Sequence, residues 1–440
     1  MSQHILIDAL RYVVEKLKED YLISSRDEIT RSIENIYTNY YAVNSLNPVD
    51  SNDWFIFVDA GFKPYALDVA VVTPVQFGAL IRDENGIVRK ISDILNKPCT
   101  DSILLYAGRR RVGAEHDFRI SISTMNRENL LFENSSSCIR ISEKLSEIVR
   151  NFAGSTGLTR RSRFFVKLAN YIESLIELTY GLKTYILIKE KLGIDPYVVL
   201  DGTLIKWFSI KKRVEYDGLD IVATILETDV KDVKAYLSRV VGLSKTTKFT
   251  TIARSYSIFV KAENKSSWKS RGFYTTINTV DASKVIAELE KLFEKQISES
   301  FIKEIVRTLC RIVFNKHMIY VARFPVTADQ RTIFVIDVYI DKPVIKVDRG
   351  KVYFDNDAAE EVNNRLRKIV PQLFSIRSKL TGEPPYGYME VDQLVRLPSK
   401  ISRVFETVLI NYMRSLNDPS LTPLIQAFTT TLYMRYGYRE

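Results

Sequence analysis

Cysteine and histidine are scarce in this 440-residue chain, which has three of each. Cys99, Cys138 and Cys310 are odd in number, far apart and without a C-x-x-C partner, which excludes a disulfide frame or a zinc knuckle and points to buried, reduced thiols. His4, His116 and His317 are just as scattered, which argues against a metal centre built on a histidine cluster. No apolar run approaches the roughly 20 residues that a membrane-spanning helix needs, and Asp8 interrupts the first apolar stretch before a signal-peptide core could form. A cytoplasmic protein with no membrane partner is the expectation. The chain lacks the G-x-x-x-x-G-K-[ST] phosphate loop, so ATP hydrolysis is not expected of it. It also lacks internal repeats, low-complexity linkers and Pro-rich boundaries.

What is present is a globular composition, 46% hydrophobic and 26% charged, with enough apolar residues for a substantial core. Lys and Arg outnumber Asp and Glu by 63 to 53, a formal charge of +10 that favours polyanionic partners without naming one. The length would permit about three domains. Without linkers, the simpler reading is one mixed α/β domain over 49–415, with insertions, an N-terminal helical extension over 1–48 and a C-terminal tail over 416–440.

Apolar residues at helical spacing predict helices over 5–19 and 26–40. Trp54-Phe55-Ile56-Phe57-Val58 is short, aromatic and β-branched and ends at Asp59, which predicts a buried strand entering a turn. Val69–Val75 and Phe77–Ile81 continue the β character, with a hairpin turn at Glu84-Asn85-Gly86. The polar region 98–138 predicts loops and edge strands. A helix ending near Gly154 and a long one over 161–181 follow. Then Tyr197-Val198-Val199-Leu200 runs into Asp201-Gly202-Thr203-Leu204, repeating the strand-acid-turn arrangement. Mixed elements over 214–295 include a helix capped by Asp281. A helix at 301–314, strands at Met318–Phe324 and Thr332–Tyr339, and helices at 357–373 and 399–415 complete the chain.

Asp59 and Asp201 are the residues with chemical promise. Phosphodiester hydrolysis at neutral pH needs an activated water and neutralised charge on the attacking and leaving oxygens, which a pair of divalent ions about 4 Å apart can supply. Carboxylates suit magnesium or manganese, and strand ends hold them rigidly. The plain alternative for each aspartate is a turn or cap residue. Two residues that share metal ions must also bring their carboxylates within about 8 Å of each other.

Phe57-Val58-Asp59-Ala60-Gly61-Phe62, then Val199-Leu200-Asp201-Gly202-Thr203-Leu204-Ile205, then Val241-Gly242-Leu243-Ser244-Lys245 occur in an order that resembles the NurA nucleases. These are archaeal and bacterial enzymes with a fold similar to RNase H and Piwi domains, which work with the HerA hexameric translocase in DNA end resection. The resemblance covers roughly 50–415. It implies a central mixed sheet flanked by helices, manganese or magnesium as cofactor, DNA as substrate, a homodimer, and a HerA-like ATPase as partner. It also implies single-strand endonuclease and exonuclease activity at double-strand breaks.

On that resemblance, Asp59 and Asp201 correspond to metal ligands. A further glutamate is expected on the helix before the second aspartate, and Glu173, at the edge of the apolar stripe, is chosen over Glu177. Near the C-terminus the family has a histidine after a Gly/Pro/Tyr-rich turn. Here Gly382-Glu383-Pro384-Pro385-Tyr386-Gly387-Tyr388 leads instead to Asp392, which can bind a hard cation but cannot act as an imidazole acid or base. The alternative implied by that departure is a DNA-binding adapter with reduced activity. Asp337 is read as an outward-facing strand acid, with a place in the site as its alternative. For DNA contacts the candidates are Lys245 in the Gly-Leu-Ser-Lys turn, Arg109, Arg110, Arg111 and Arg161 in basic clusters, and Tyr386 and Tyr388 as stacking rings.

Overall fold

The structure is a computed structural model, and it describes residues 10–16, 28–47, 49, 53–66, 70–112, 115–132, 134–153, 162–206, 208–210, 213–216, 218–245, 272–329, 332–380, 382–397 and 399–426. A 13-stranded mixed sheet runs through it. Its principal strands are β1 (Tyr41–Ser45), β2 (Phe55–Phe62), β3 (Ala70–Arg82), β4 (Thr100–Val112), β5 (Glu115–Thr124), β6 (Tyr197–Asp201), β7 (Val240–Ser244), β8 (Phe273–Ile277), β9 (Ile319–Thr327) and β10 (Ile333–Ile340). They lie in the order β1-β8-β9-β10-β7-β6-β2-β3-β4-β5. Short strands at Tyr65–Ala66 and Val88–Lys90 add to β3, and Cys310–Phe314 adds to β9. The central trio β2, β6 and β7 is parallel, and antiparallel hairpins extend it on both sides.

Strand alternation sorts the core into two layers. Ile56, Val58, Val198 and Leu200 face the long helix α1 (Ser162–Leu192), whose Phe165, Leu168, Ile172, Leu175 and Ile176 are buried with them. Phe55, Phe57, Val199, Val241 and Leu243 face the opposite layer, built on α2 (Asn356–Leu373) and α3 (Tyr388–Val395). Gly181 lets α1 lie against the trio, because a Cβ there would come 2.8 Å from Val198. Gly387 does the same for α3. Its φ is +109°, and a Cβ would stand 2.4 Å from the Phe57 ring.

Four sequence expectations change. Region 98–138 holds the expected edge strand, but as part of a long hairpin, β4–β5 over 100–124, because Ile103, Leu105 and Ala107 alternate inward against Phe118, Ile120 and Ile122, a period masked by the polar residues between them. The helix after 299 ends at Leu309, and Cys310–Phe314 continues as a strand. α1 runs on to Leu192, since Leu182, Tyr185 and Ile188 remain buried. The N-terminal extension is not wholly helical: after a helix at Glu28–Tyr40, β1 pairs with β8 at the sheet edge. Of the first predicted helix, 10–16 is described and helical. The tail opens with a turn at 416–417, has short helical segments over 419–426, and 427–440 lie outside the described residues.

The loop between α2 and α3 is held by one buried cation. Arg82, at the end of β3, is fully buried and donates to the carbonyls of Gln372 (3.0 Å), Leu373 (3.0 Å), Ile376 (3.2 Å) and Tyr386 (3.3 Å). Its guanidinium also lies 4.8 Å from the Phe55 ring centroid and 5.5 Å from that of Phe57. Two of those carbonyls belong to the last turn of α2, where the helix dipole favours a cation. Burial lowers the guanidinium to about 10, so it stays charged at neutral pH. Removing it takes a charged donor from all four carbonyls, although Gln372 and Ile376 keep bonds from Ser375 and the Tyr386 N–H. Arg82→Met is therefore expected to cost about 3–5 kcal/mol, checked by chemical denaturation against wild type.

Candidate active site

β2 and β6 pair in parallel through Val58 opposite Leu200, so Asp59 and Asp201 follow side by side at the ends of neighbouring strands. By alternation both point to the α3 side of the sheet, as Phe57 and Val199 do. α3 then contributes Asp392. One carboxylate oxygen from each of Asp59, Asp201 and Asp392 lies within 4.8 Å of the other two. Asp59 is 9% exposed, while Asp201 and Asp392 are half-buried.

Each side chain is fixed by its surroundings. Asp59 accepts a bond from the Ala60 N–H at 2.7 Å. Asp201 accepts from the Tyr388 hydroxyl, which also lies 2.8 Å from the Leu243 carbonyl and so ties α3 to β6 and β7. Lys245 sits over the Tyr388 ring, 4.8 Å from its centroid, and touches the Met389 sulfur. Asp392 has Arg396 at 3.9 Å.

Glu173 and Glu177 come from α1, on the other face of the sheet. Both are 5% exposed, and Glu177 pairs with the buried Lys206 at 3.3 Å. Neither is in the group of three close carboxylates. Of the two, Glu177 acts more strongly on Asp59 and also feels Asp201. The third carboxylate beside the two aspartates is thus Asp392 and not Glu173, which lies behind them on α1.

Crowding of like charges shows in the protonation balance. Burial first, then Glu177 and Asp201, push Asp59 up to about 8, against the pull of the Ala60 N–H. Burial also raises Asp201, opposed by the Tyr388 hydrogen bond and Lys245. Glu173 is raised well above its ordinary value by burial and then by Glu177, whereas the rise of Glu177 by burial is offset by Lys206. Asp59, Asp201 and Asp392 offer only carboxylate oxygens, a donor set that fits a hard divalent cation such as manganese or magnesium.

The other expected residues separate. Asp337 is neither outward-facing nor a member of the cluster. It is fully buried, accepts from the Thr203 hydroxyl at 2.6 Å and the Leu204 N–H at 3.1 Å, and pairs with Arg323 at 3.2 Å. Its work is to hold the turn after Asp201. Tyr388, 1% exposed with its hydroxyl on Asp201, has no face for a base to stack on, which corrects its reading as a platform. Tyr386 is 37% exposed and keeps an accessible ring.

Arg109 is half-buried on β4. Thr100 shares the register of Gly78 and Asp59, so Arg109 stands about 30 Å further along the strand. Arg110 and Arg111 continue that strand, and Arg161 lies outside the described residues. Sequence reasoning missed Lys206, whose signal was a lysine within the apolar Leu204-Ile205 run, five residues after Asp201.

No family model matches the chain, and no curated protein matches it. Among solved structures it is similar to the NurA nuclease from Sulfolobus solfataricus, at 12% identity over 94% of this chain and 98% of that one, with a TM-score of 0.40. A NurA bound to dAMP and manganese matches at 9% identity over 93% and 97%, with a TM-score of 0.28. An Argonaute from Marinitoga piezophila, in complex with guide RNA and target DNA, matches at 10% identity over 79% of this chain and 30% of its own, with a TM-score of 0.24. Overlaps this loose carry no weight for the chemistry, which has to come from the side chains.

The raised Asp59 gives a sign to the pH dependence. An unfolded aspartate titrates near 4 and this one near 8, so the folded state holds the extra proton. The stability it contributes is complete below about pH 4 and is lost as pH rises through about 8. In EDTA, wild type is expected to lose about 2–4 kcal/mol more than Asp59→Asn between pH 5 and pH 8. Denaturant midpoints at the two pH values check this, and equal losses in both proteins would refute it.

Proposed function

We propose that the protein is a divalent-metal-dependent deoxyribonuclease that hydrolyses DNA phosphodiester bonds as a single-strand endonuclease and exonuclease, using manganese or magnesium. The observation that carries this reading is the meeting of the Asp59, Asp201 and Asp392 oxygens within 4.8 Å. A divalent ion held there would supply an activated water and neutralise charge on the leaving oxygen.

The chain's own residues supply the frame. Asp59 and Asp201 would hold the cation from two hydrogen-bonded strands, and Asp392 would close the set from α3. Tyr388 keeps one Asp201 oxygen aimed by its hydrogen bond. Lys245, beside Asp201, is placed to meet a backbone phosphate, and Tyr386 offers a ring to a base. The motif order seen in the sequence favours a role in double-strand break end resection in the cytoplasm. It also favours a homodimer working with a HerA-like hexameric ATPase, a need that fits a chain without its own phosphate loop.

A second reading, a DNA-binding adapter for a translocase, rests on Asp392 standing where the resemblance places a histidine. Labelled single-stranded DNA with manganese separates the two. Wild type is expected to cut and to stop in EDTA, with Asp59→Ala and Asp201→Ala slower by at least about 100-fold. Intact DNA with wild type favours the adapter, and undiminished cutting by both variants overturns the carboxylate site as the catalyst.

A further inference from the structure

Lys206 is 6% exposed, with its ammonium 3.3 Å from Glu177 on the face of the sheet opposite α3. Its charge also offsets Glu173. Replacing such buried pairs with apolar residues is often neutral or stabilising, so stability alone does not explain one here. Moreover, the segment that delivers it is tied down. Asp337 binds Thr203 and Leu204, and the Tyr339 hydroxyl reaches the Leu204 carbonyl at 3.3 Å.

We infer that Lys206 takes the place of a second cation, so that the carboxylate cluster holds one divalent ion per chain and not two. This rests on the metal-dependent reading above. Glu177, on the α1 face behind the strand ends, is bonded to Lys206 at 3.3 Å. It also acts on Asp59 and Asp201. A second ion, about 4 Å from the first and sharing Glu177 with the aspartates, would have to displace the ammonium from its contact.

On the α1 side Lys206 pairs with Glu177 and offsets Glu173, whereas on the α3 side Lys245 acts on Asp201 and Arg396 lies beside Asp392. Lys206 is on this view a positioning residue: it holds Glu177 away from metal ligation and sets the stoichiometry.

Manganese binding to the purified full chain tests it, by calorimetry for stoichiometry and by electron paramagnetic resonance for coupling between ions. Wild type and Lys206→Arg are expected to bind one Mn2+ per chain with an uncoupled six-line spectrum, and Asp59→Ala to lose it. Lys206→Gln, which frees Glu177, is expected to take two ions with a broadened, coupled signal. Two ions in wild type, or one in a folded Lys206→Gln, overturns the inference and leaves the nuclease reading standing. No ion in wild type overturns both. If Lys206→Gln does not fold, the wild-type stoichiometry decides alone.

Discussion

Backbone hydrogen bonding forces two carboxylates together. With Val58 paired to Leu200 in parallel register, Asp59 and Asp201 emerge on one face of adjacent strands, and neither can retreat without breaking the ladder. The repulsion between them is met locally by an N–H, a tyrosine hydroxyl and a lysine, and the surrounding architecture serves to place those groups. α3 is held close by Gly387 against Phe57, and its incoming loop by Arg82, so that Tyr388 and Asp392 arrive where the strands end.

The same constraint organises the far side of the sheet. α1 packs Ile172, Leu175 and Ile176 against the parallel trio, and its Glu173 and Glu177 reach the strand ends from behind. Lys206 meets them there because Asp337, two strands away on β10, pins the turn that follows Asp201. Acids therefore approach from both faces, but only the α3 face brings three carboxylate oxygens within reach of one cation.

Much of the frame was legible along the chain. The aromatic and β-branched runs at 54–58 and 197–200, the periodic helices, and the two strand-end aspartates follow from local patterning, since period and turn chemistry are properties of short segments. The β4–β5 hairpin was obscured because its alternation is diluted by charged and polar residues whose exposure depends on the neighbouring strand. Tyr388 shows the same limit for a single residue: a tyrosine after Pro and Gly has the sequence profile of a surface loop, and only the close fit of Gly387 against Phe57 and its own hydroxyl contacts with Asp201 and Leu243 turn it inward.

By itself the sequence determined which residue types could do chemistry: carboxylates at strand ends, almost no imidazole or thiol, and an excess of positive charge. Tertiary structure alone decided which carboxylates share a site, because strand register and helix packing join residues separated by more than a hundred positions. It selected Asp392 over Glu173 as the third close oxygen, made Asp337 a buried anchor, and set Lys206 against Glu177. No local pattern encodes those choices, since each depends on which face of the sheet a distant segment covers.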